Sequence, residues 1–153
     1  MIIIVLDQFL KYIVSYNMDF FESIRVIPNF FHITYVTNTG AAFSMFQNGR
    51  WFFVILGIIA VIAIIRYIYL ENKIRKSEAL AYALLIGGIT GNLIDRVVFG
   101  YVIDFFDFYI LGYDAPIFNI ADTSIVIGAV IIIYNIVFIG DKDENNNGRR
   151  RVK

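Results

Sequence analysis

Two aspartates stand in apolar surroundings that resist a charge: Asp104 in Tyr101-Val102-Ile103-Asp104-Phe105 and Asp122 in Phe118-Asn119-Ile120-Ala121-Asp122. Neither has a Lys or Arg beside it in the chain. Two neighbouring carboxylates in a partly desolvated site do not both ionise easily, so one pKa rises and the pair shares a proton. One carboxylate can then activate water while the other, protonated, assists a leaving amine, which is the chemistry of an aspartic hydrolase. A plainer reading is that each Asp caps a helix or meets a lipid headgroup, and spacing alone leaves both open. Other nucleophiles fare worse. The chain has no Cys and a single His, His32, which excludes thiolate metal sites, a disulfide framework and His-rich zinc motifs. Ser44 lacks a base, and a Ser44–Lys11 pair has no support in the spacing.

The elements that must position these carboxylates are membrane helices. Of 153 residues, 59% are hydrophobic and 17% charged, with a mean hydropathy of +0.69. Soluble domains run about 45–50% apolar and about 25% charged. A span needs about 20 mostly apolar residues. The runs at about 51–70, 79–98 and 117–139 qualify. Residues 1–17 are the weakest run, carrying Asp7, Gln8 and Lys11, yet they lack the basic start and small-residue cleavage site of a signal peptide and are read as a retained span. Nine Lys and Arg lie at Arg66, in the 71–78 connector and in the tail, against two, Arg25 and Arg50, in the other loops. The positive-inside rule then puts both termini in the cytoplasm. The expected fold is an all-α polytopic membrane protein with four transmembrane helices. A small extracytoplasmic β-sheet is expected between helices 1 and 2, from outer loop 18–50, where Phe31, Ile33 and Tyr35 alternate with His32, Thr34 and Val36. Residues 1–140 form one domain, and the polar, basic stretch 141–153 is expected to be a disordered cytoplasmic tail. Zero net charge argues against nucleic-acid binding.

This topology gathers the unusual polar residues at the outer face. Asn92, Asp95 and Arg96 fall in the outer half of helix 3, Asp104 just beyond it, and Asn119 and Asp122 at the outer end of helix 4. Lys11 lies in the outer half of helix 1, with Asp7 nearer its middle. Asp7 and Lys11, four apart, suit an internal ion pair. Asn92, Asp95 and Arg96 share a helical face and read as a structural network. Gly87 and Gly91 read as a helix-packing pair. Asp107 and Asp114 read as solvated loop carboxylates. A proton-conducting subunit would need carboxylates at several depths, and the inner halves of helices 2–4 hold none. A purely structural bundle does not account for polar residues clustered at one face.

Five motifs in this order resemble the lipoprotein signal peptidase (signal peptidase II) family over nearly the whole chain. They are Asp7-Gln8-Phe9-Leu10-Lys11, Asn38-Thr39-Gly40-Ala41-Ala42-Phe43-Ser44, Gly91-Asn92-Leu93-Ile94-Asp95-Arg96, Val102-Ile103-Asp104-Phe105 and Phe118-Asn119-Ile120-Ala121-Asp122. Only six residues precede Asp7, fewer than the family usually carries there. The resemblance implies a bacterial intramembrane aspartic endopeptidase of the cytoplasmic membrane, with its active site near the outer face. It would cut prolipoproteins just before a diacylglyceryl-modified cysteine. Asp104 and Asp122 would be the catalytic pair, supported by Asp7, Lys11, Asn38, Gly40, Asn92, Asp95, Arg96, Asn119 and Ala121. The resemblance also implies no metal or organic cofactor, contact with membrane lipids and inhibition by globomycin-type cyclic peptides; oligomeric state is open, and nothing in the sequence demands more than a monomer.

Overall fold

The computed structural model describes residues 1–40, 47, 49–110 and 113–139; Ser44 and the expected tail 141–153 lie outside the described residues, as do the side chains of Tyr113, Asp114 and Ile139. Helix α1 (Ile2–Asn17) buries Asp7, Lys11 and Val14, spaced by three and four so that they share one face. Its other side, with Phe9, Tyr12 and Tyr16, is exposed. Helix α2 (Arg50–Leu70) buries only Val54. A helix apolar on every side with one residue buried needs an apolar solvent around it. Helix α3 (Lys76–Val98) and helix α4 (Ile120–Tyr134) form the closest pair, and α4 continues as a π-helical turn, Asn135–Ile139.

Among the described residues three helices are long and apolar enough to cross a membrane: Arg50–Leu70, Lys76–Val98 and Ile120–Phe138. Helix α1 has 16 residues, about 24 Å at about 1.5 Å per residue, against a hydrocarbon core of about 30 Å. It belongs to the bundle by packing on α3 and α4. Two helix starts differ from the sequence expectation for local reasons. Helix α3 begins at Lys76 rather than 79, because the Glu78 carboxylate turns back to accept from the Arg75 amide at 2.9 Å. Helix α4 begins at Ile120 rather than 117, because Asn119 caps it.

Small residues bring α1, α3 and α4 within backbone reach. A Cβ at Gly88 would collide with the Ala121 carbonyl oxygen, and one at Gly87 would sit 2.9 Å from the Ile3 Cβ. At Gly91 it would lie 2.6 Å from Asp7 Oδ2 and 3.2 Å from the Ala121 Cβ. Gly87 and Gly91 therefore stand at helix contacts, as their spacing suggested. Gly91→Ala forces Asp7 off its partners, and overpacking of this kind costs about 1–3 kcal/mol. Its thermal midpoint in detergent should fall below that of wild type; an unchanged midpoint would contradict this packing.

The sheet is larger than expected. Strands β1 (Ser23–Ile27) and β2 (Phe31–Asn38) come from the loop after α1, as anticipated, but β3 (Val102–Ile110) and β4 (Tyr113–Asp114) come from between α3 and α4. The order is β1-β2-β3-β4, every pair antiparallel. Strand β3 escaped the alternation test because Val102, Ile103, Asp104 and Phe105 are all buried, and a strand covered on both faces shows no period of two. Ile103 and Phe105 form a cluster with Val14 and Met18 that pins β3 to the end of α1. That contact fixes where Asp104 points relative to the helices.

Candidate active site

Helix α1 presents Lys11 to three acceptors at once. Its Nζ lies 2.8 Å from Asp7 Oδ2, 2.9 Å from Asp95 Oδ2 and 2.9 Å from Asn92 Oδ1. An ammonium has three protons, and here all three are used. Lys11 is only 2% exposed, a burial tolerated because both the charge and every donor are matched. Both carboxylates also accept from backbone amides. Asp7 Oδ1 accepts from the Ala121 amide at 2.9 Å, and Asp95 Oδ2 accepts from the Ile103 amide at 3.1 Å. Asp7 thus ties α1 to the first turn of α4, and Asp95 ties α3 to the start of β3.

Asn92 carries this cluster to Asp122. With its oxygen taken by Lys11 and by Asn119 Nδ2 at 3.1 Å, its amide nitrogen faces Asp122 Oδ1 at 2.7 Å. Asn119 then links the two aspartates of the apolar motifs. Its Nδ2 donates to Asp104 Oδ1 at 2.7 Å, and its backbone amide donates to Asp122 Oδ2 at 3.3 Å. The Asp122 amide returns a bond to Asn119 Oδ1 at 2.9 Å, completing a reciprocal helix cap. Asp122 is therefore a capping residue as well, but the cap uses only one of its carboxylate oxygens.

Asp104 is 3% exposed. Burial, and then the charge of Asp122, push its pKa up from 3.8 to about 7, while hydrogen bonds from Asn119 and Asn38 and the Lys11 charge pull the other way. Asp122 is half-buried, so the pair has one deep member and one partly exposed. At neutral pH a carboxyl that titrates near 7 can either hold or release a proton, as acid–base work requires. Among the described residues no group of three or more His, Cys, Asp or Glu side chains is placed to hold a metal ion.

Asn38, Gly40 and Arg96 are bonded in a chain beside this cluster. The Gly40 amide donates to Asn38 Oδ1 at 2.9 Å, and Arg96 donates to the Gly40 carbonyl at 2.8 Å. The Arg96 guanidinium lies 4.9 Å from the Phe53 ring centre. Arg96 therefore bonds the Gly40 carbonyl, and Asp95 pairs with Lys11 instead. Gln8, a polar residue of the first apolar run and part of a motif, has no role of its own in the sequence reading. Its Nε2 reaches Asp95 Oδ1 at 2.8 Å, the Gly91 carbonyl at 3.2 Å and Asp7 Oδ2 at 3.3 Å. Its spacing of three from Lys11 was the available signal. Asp107 is not solvated as expected: it is 5% exposed and accepts from Thr34 Oγ1. It lies on β3 directly opposite His32 of β2, outside the Asp104 cluster.

A buried polar cluster inside an apolar helical bundle, capped at one end by a sheet, defines a multi-pass membrane protein with an enzyme-like site. Comparison gives the family. The profile described as Signal peptidase (SPase) II matches residues 1–138, and the chain belongs to the signal peptidase II family. A lipoprotein signal peptidase of Alteromonas mediterranea is 43% identical over 148 residues, covering 94% of this chain and 81% of that protein. One from Staphylococcus aureus is 40% identical over 151 residues, covering 99% and 90%. A solved structure described as a bacterial membrane enzyme, determined in meso at 2.3 Å resolution, superposes with a TM-score of 0.85 at 39% identity, covering 94% of this chain and 86% of that one.

Proposed function

We propose that this chain is an intramembrane aspartic endopeptidase that removes the signal peptide from diacylglyceryl-modified prolipoproteins, cutting just before the lipidated cysteine. The observation that carries the reading is Asn119, whose side chain and backbone bond Asp104 and Asp122 at once. Two carboxylates held together by one residue, one of them titrating near 7, have the chemistry of a dyad sharing a proton. Membership of the signal peptidase II family supports the same substrate class.

In this mechanism the ionised member takes a proton from a water held between the two carboxylates. The protonated member donates a hydrogen bond to the scissile carbonyl, and the water oxygen attacks its carbon. Collapse of the tetrahedral intermediate breaks the C–N bond, and a carboxyl proton passes to the departing cysteine amine. Lys11, Asp7, Asp95, Asn92 and Ala121 hold the pair in place. Asn38, Gly40 and Arg96 border the entrance and are assigned to the substrate backbone. The lipid chains stay in the bilayer while the scissile bond meets water near the interface. Four spans rest on the apolar runs and on the packing of α1 against α3 and α4, and the count of basic residues supports both termini cytoplasmic and the site near the outer face of the bacterial cytoplasmic membrane. A monomer suffices, no cofactor is required, and globomycin-type cyclic peptides are expected to compete for the site.

The test is cleavage of a prolipoprotein by the purified protein in detergent, with product masses measured. The expected result is a single cut that leaves the diacylglyceryl cysteine as the new N-terminus, unaffected by EDTA, with the unlipidated precursor left whole. Cleavage elsewhere, or equal cleavage of both precursors, would overturn the assignment.

A further inference from the structure

The loop between α1 and β1 is a tight turn, in which the Glu22 amide bonds to the Asp19 carbonyl at 2.8 Å. Its third residue, Phe21, has φ +68°, in the left-handed region that a turn of this kind normally gives to Gly or Asn. The hairpin turn between β1 and β2 shows what an unstrained version looks like. There Pro28 and Asn29 occupy the same two positions, Asn29 at φ +59°, with the Phe30 amide bonded to the Ile27 carbonyl at 3.1 Å. In the first turn those positions are filled by two phenylalanines. The turn is held from outside, because the Phe21 amide donates to the Tyr35 carbonyl at 2.9 Å and the Tyr35 amide to the Glu22 carbonyl at 3.0 Å.

The cost of that backbone is not recovered by burial. Phe20 is 53% and Phe21 69% exposed, and their rings lie 4.1 Å apart. They follow the end of α1 at Asn17 by three and four residues, and on that helix Tyr12 and Tyr16 are exposed and stack at 5.7 Å. Interfacial segments bury Phe, Trp and Leu side chains at the boundary between headgroups and acyl chains, and a paired apolar tip on a turn suits that boundary.

We propose that the Phe20–Phe21 turn is an interfacial anchor, seated among the glycerol backbones and upper acyl chains of the outer leaflet, which holds the sheet and therefore Asp104 at a set depth. The side of the membrane rests on the topology proposed above; the depth does not. The occupant is lipid rather than protein because the turn lies within four residues of the end of a helix whose exposed side, with Phe9, Tyr12 and Tyr16, is apolar and aromatic.

The test uses the full chain in phosphatidylcholine–phosphatidylglycerol nanodiscs, with Trp51, the single tryptophan, replaced by Phe. Phe21→Trp and, separately, Phe20→Trp then supply the only indole. Lipids brominated near the glycerol should quench that fluorescence at least about twofold more than lipids brominated at the chain ends. Aqueous iodide should quench it little. Strong iodide quenching without bromine quenching would overturn the anchor, and stronger quenching by the chain-end bromines would overturn its depth. Because the signal needs no turnover, an inactive protein with shallow quenching would count against the peptidase reading and leave the anchor standing. Phe21→Gly removes the ring and relieves the turn, so its thermal midpoint in detergent should match or exceed that of wild type. Its KM for a substrate in nanodiscs should rise about threefold with kcat unchanged. A lowered midpoint, or an unaltered KM, would overturn the anchoring role.

Discussion

Asp104→Asn and Asp122→Asn should each fold normally and lose about 10³-fold or more in kcat. At position 104 the amide keeps its volume and an oxygen for Asn119 Nδ2, which now bonds Asp104 at 2.7 Å. At position 122 an amide oxygen can still accept from Asn92 Nδ2 or the Asn119 backbone, so the helix cap survives at least in part. Neither amide can take a proton from water or pass one to a leaving amine. Folding and chemistry are therefore separable, with thermal midpoints reporting the first and substrate cleavage the second. Robust turnover by either variant would remove the dyad and restore the plainer reading of Asp122 as a cap and Asp104 as a buried structural carboxyl.

Asn92→Asp should be nearly as damaging, for a different reason. The Asn92 oxygen is committed to Lys11 and Asn119, which leaves only its nitrogen for Asp122. An aspartate of the same shape keeps the Lys11 contact and so should fold. It puts an oxygen where a donor had been 2.7 Å from Asp122 Oδ1, and two carboxylates there must share a proton. The expected loss is about 10²–10³-fold in kcat with KM little changed. The added negative charge should also move the alkaline limb of the pH–rate profile upward. A variant that lost activity through misfolding alone would not shift that limb. Lys11→Met is expected to behave differently: it strands Asp7 and Asp95 as buried charges without their cation, a cost of about 3–5 kcal/mol, and shows itself first in stability.

Local rules reached the helical half of the site and little of the rest. The Asp7–Lys11 pair follows from a spacing of four on one helix, and Asn92 and Asp95 follow from a shared face. Their meeting point also followed from topology, because helices running in opposite directions bring the end of α3 to the start of α4. The sheet's contribution was hidden. Asp104 and Asp107 are spaced by three on a strand buried on both sides, so no alternation announced β3. Asp107 looked solvated because its cover, Thr34, is supplied by another strand 73 residues away. Asn119 was visible as part of a motif, but its bridging of two aspartates depends on the angle at which β3 meets α4, which no local spacing records.

The measurement that bears most directly on the shared proton is the pH dependence of kcat/KM for cleavage of a diacylglyceryl prolipoprotein by the wild-type enzyme. This ratio reports groups on the free enzyme. Asp104 titrates near 7, and above that pH both carboxylates are charged and the proton needed at the scissile carbonyl is gone. In acid the second carboxylate also takes a proton, and no base remains. The expected profile is a bell whose alkaline limb falls with an apparent pKa of about 7, unchanged by EDTA. A rate that stays level well above that pH, or one abolished by EDTA at every pH, would contradict the dyad.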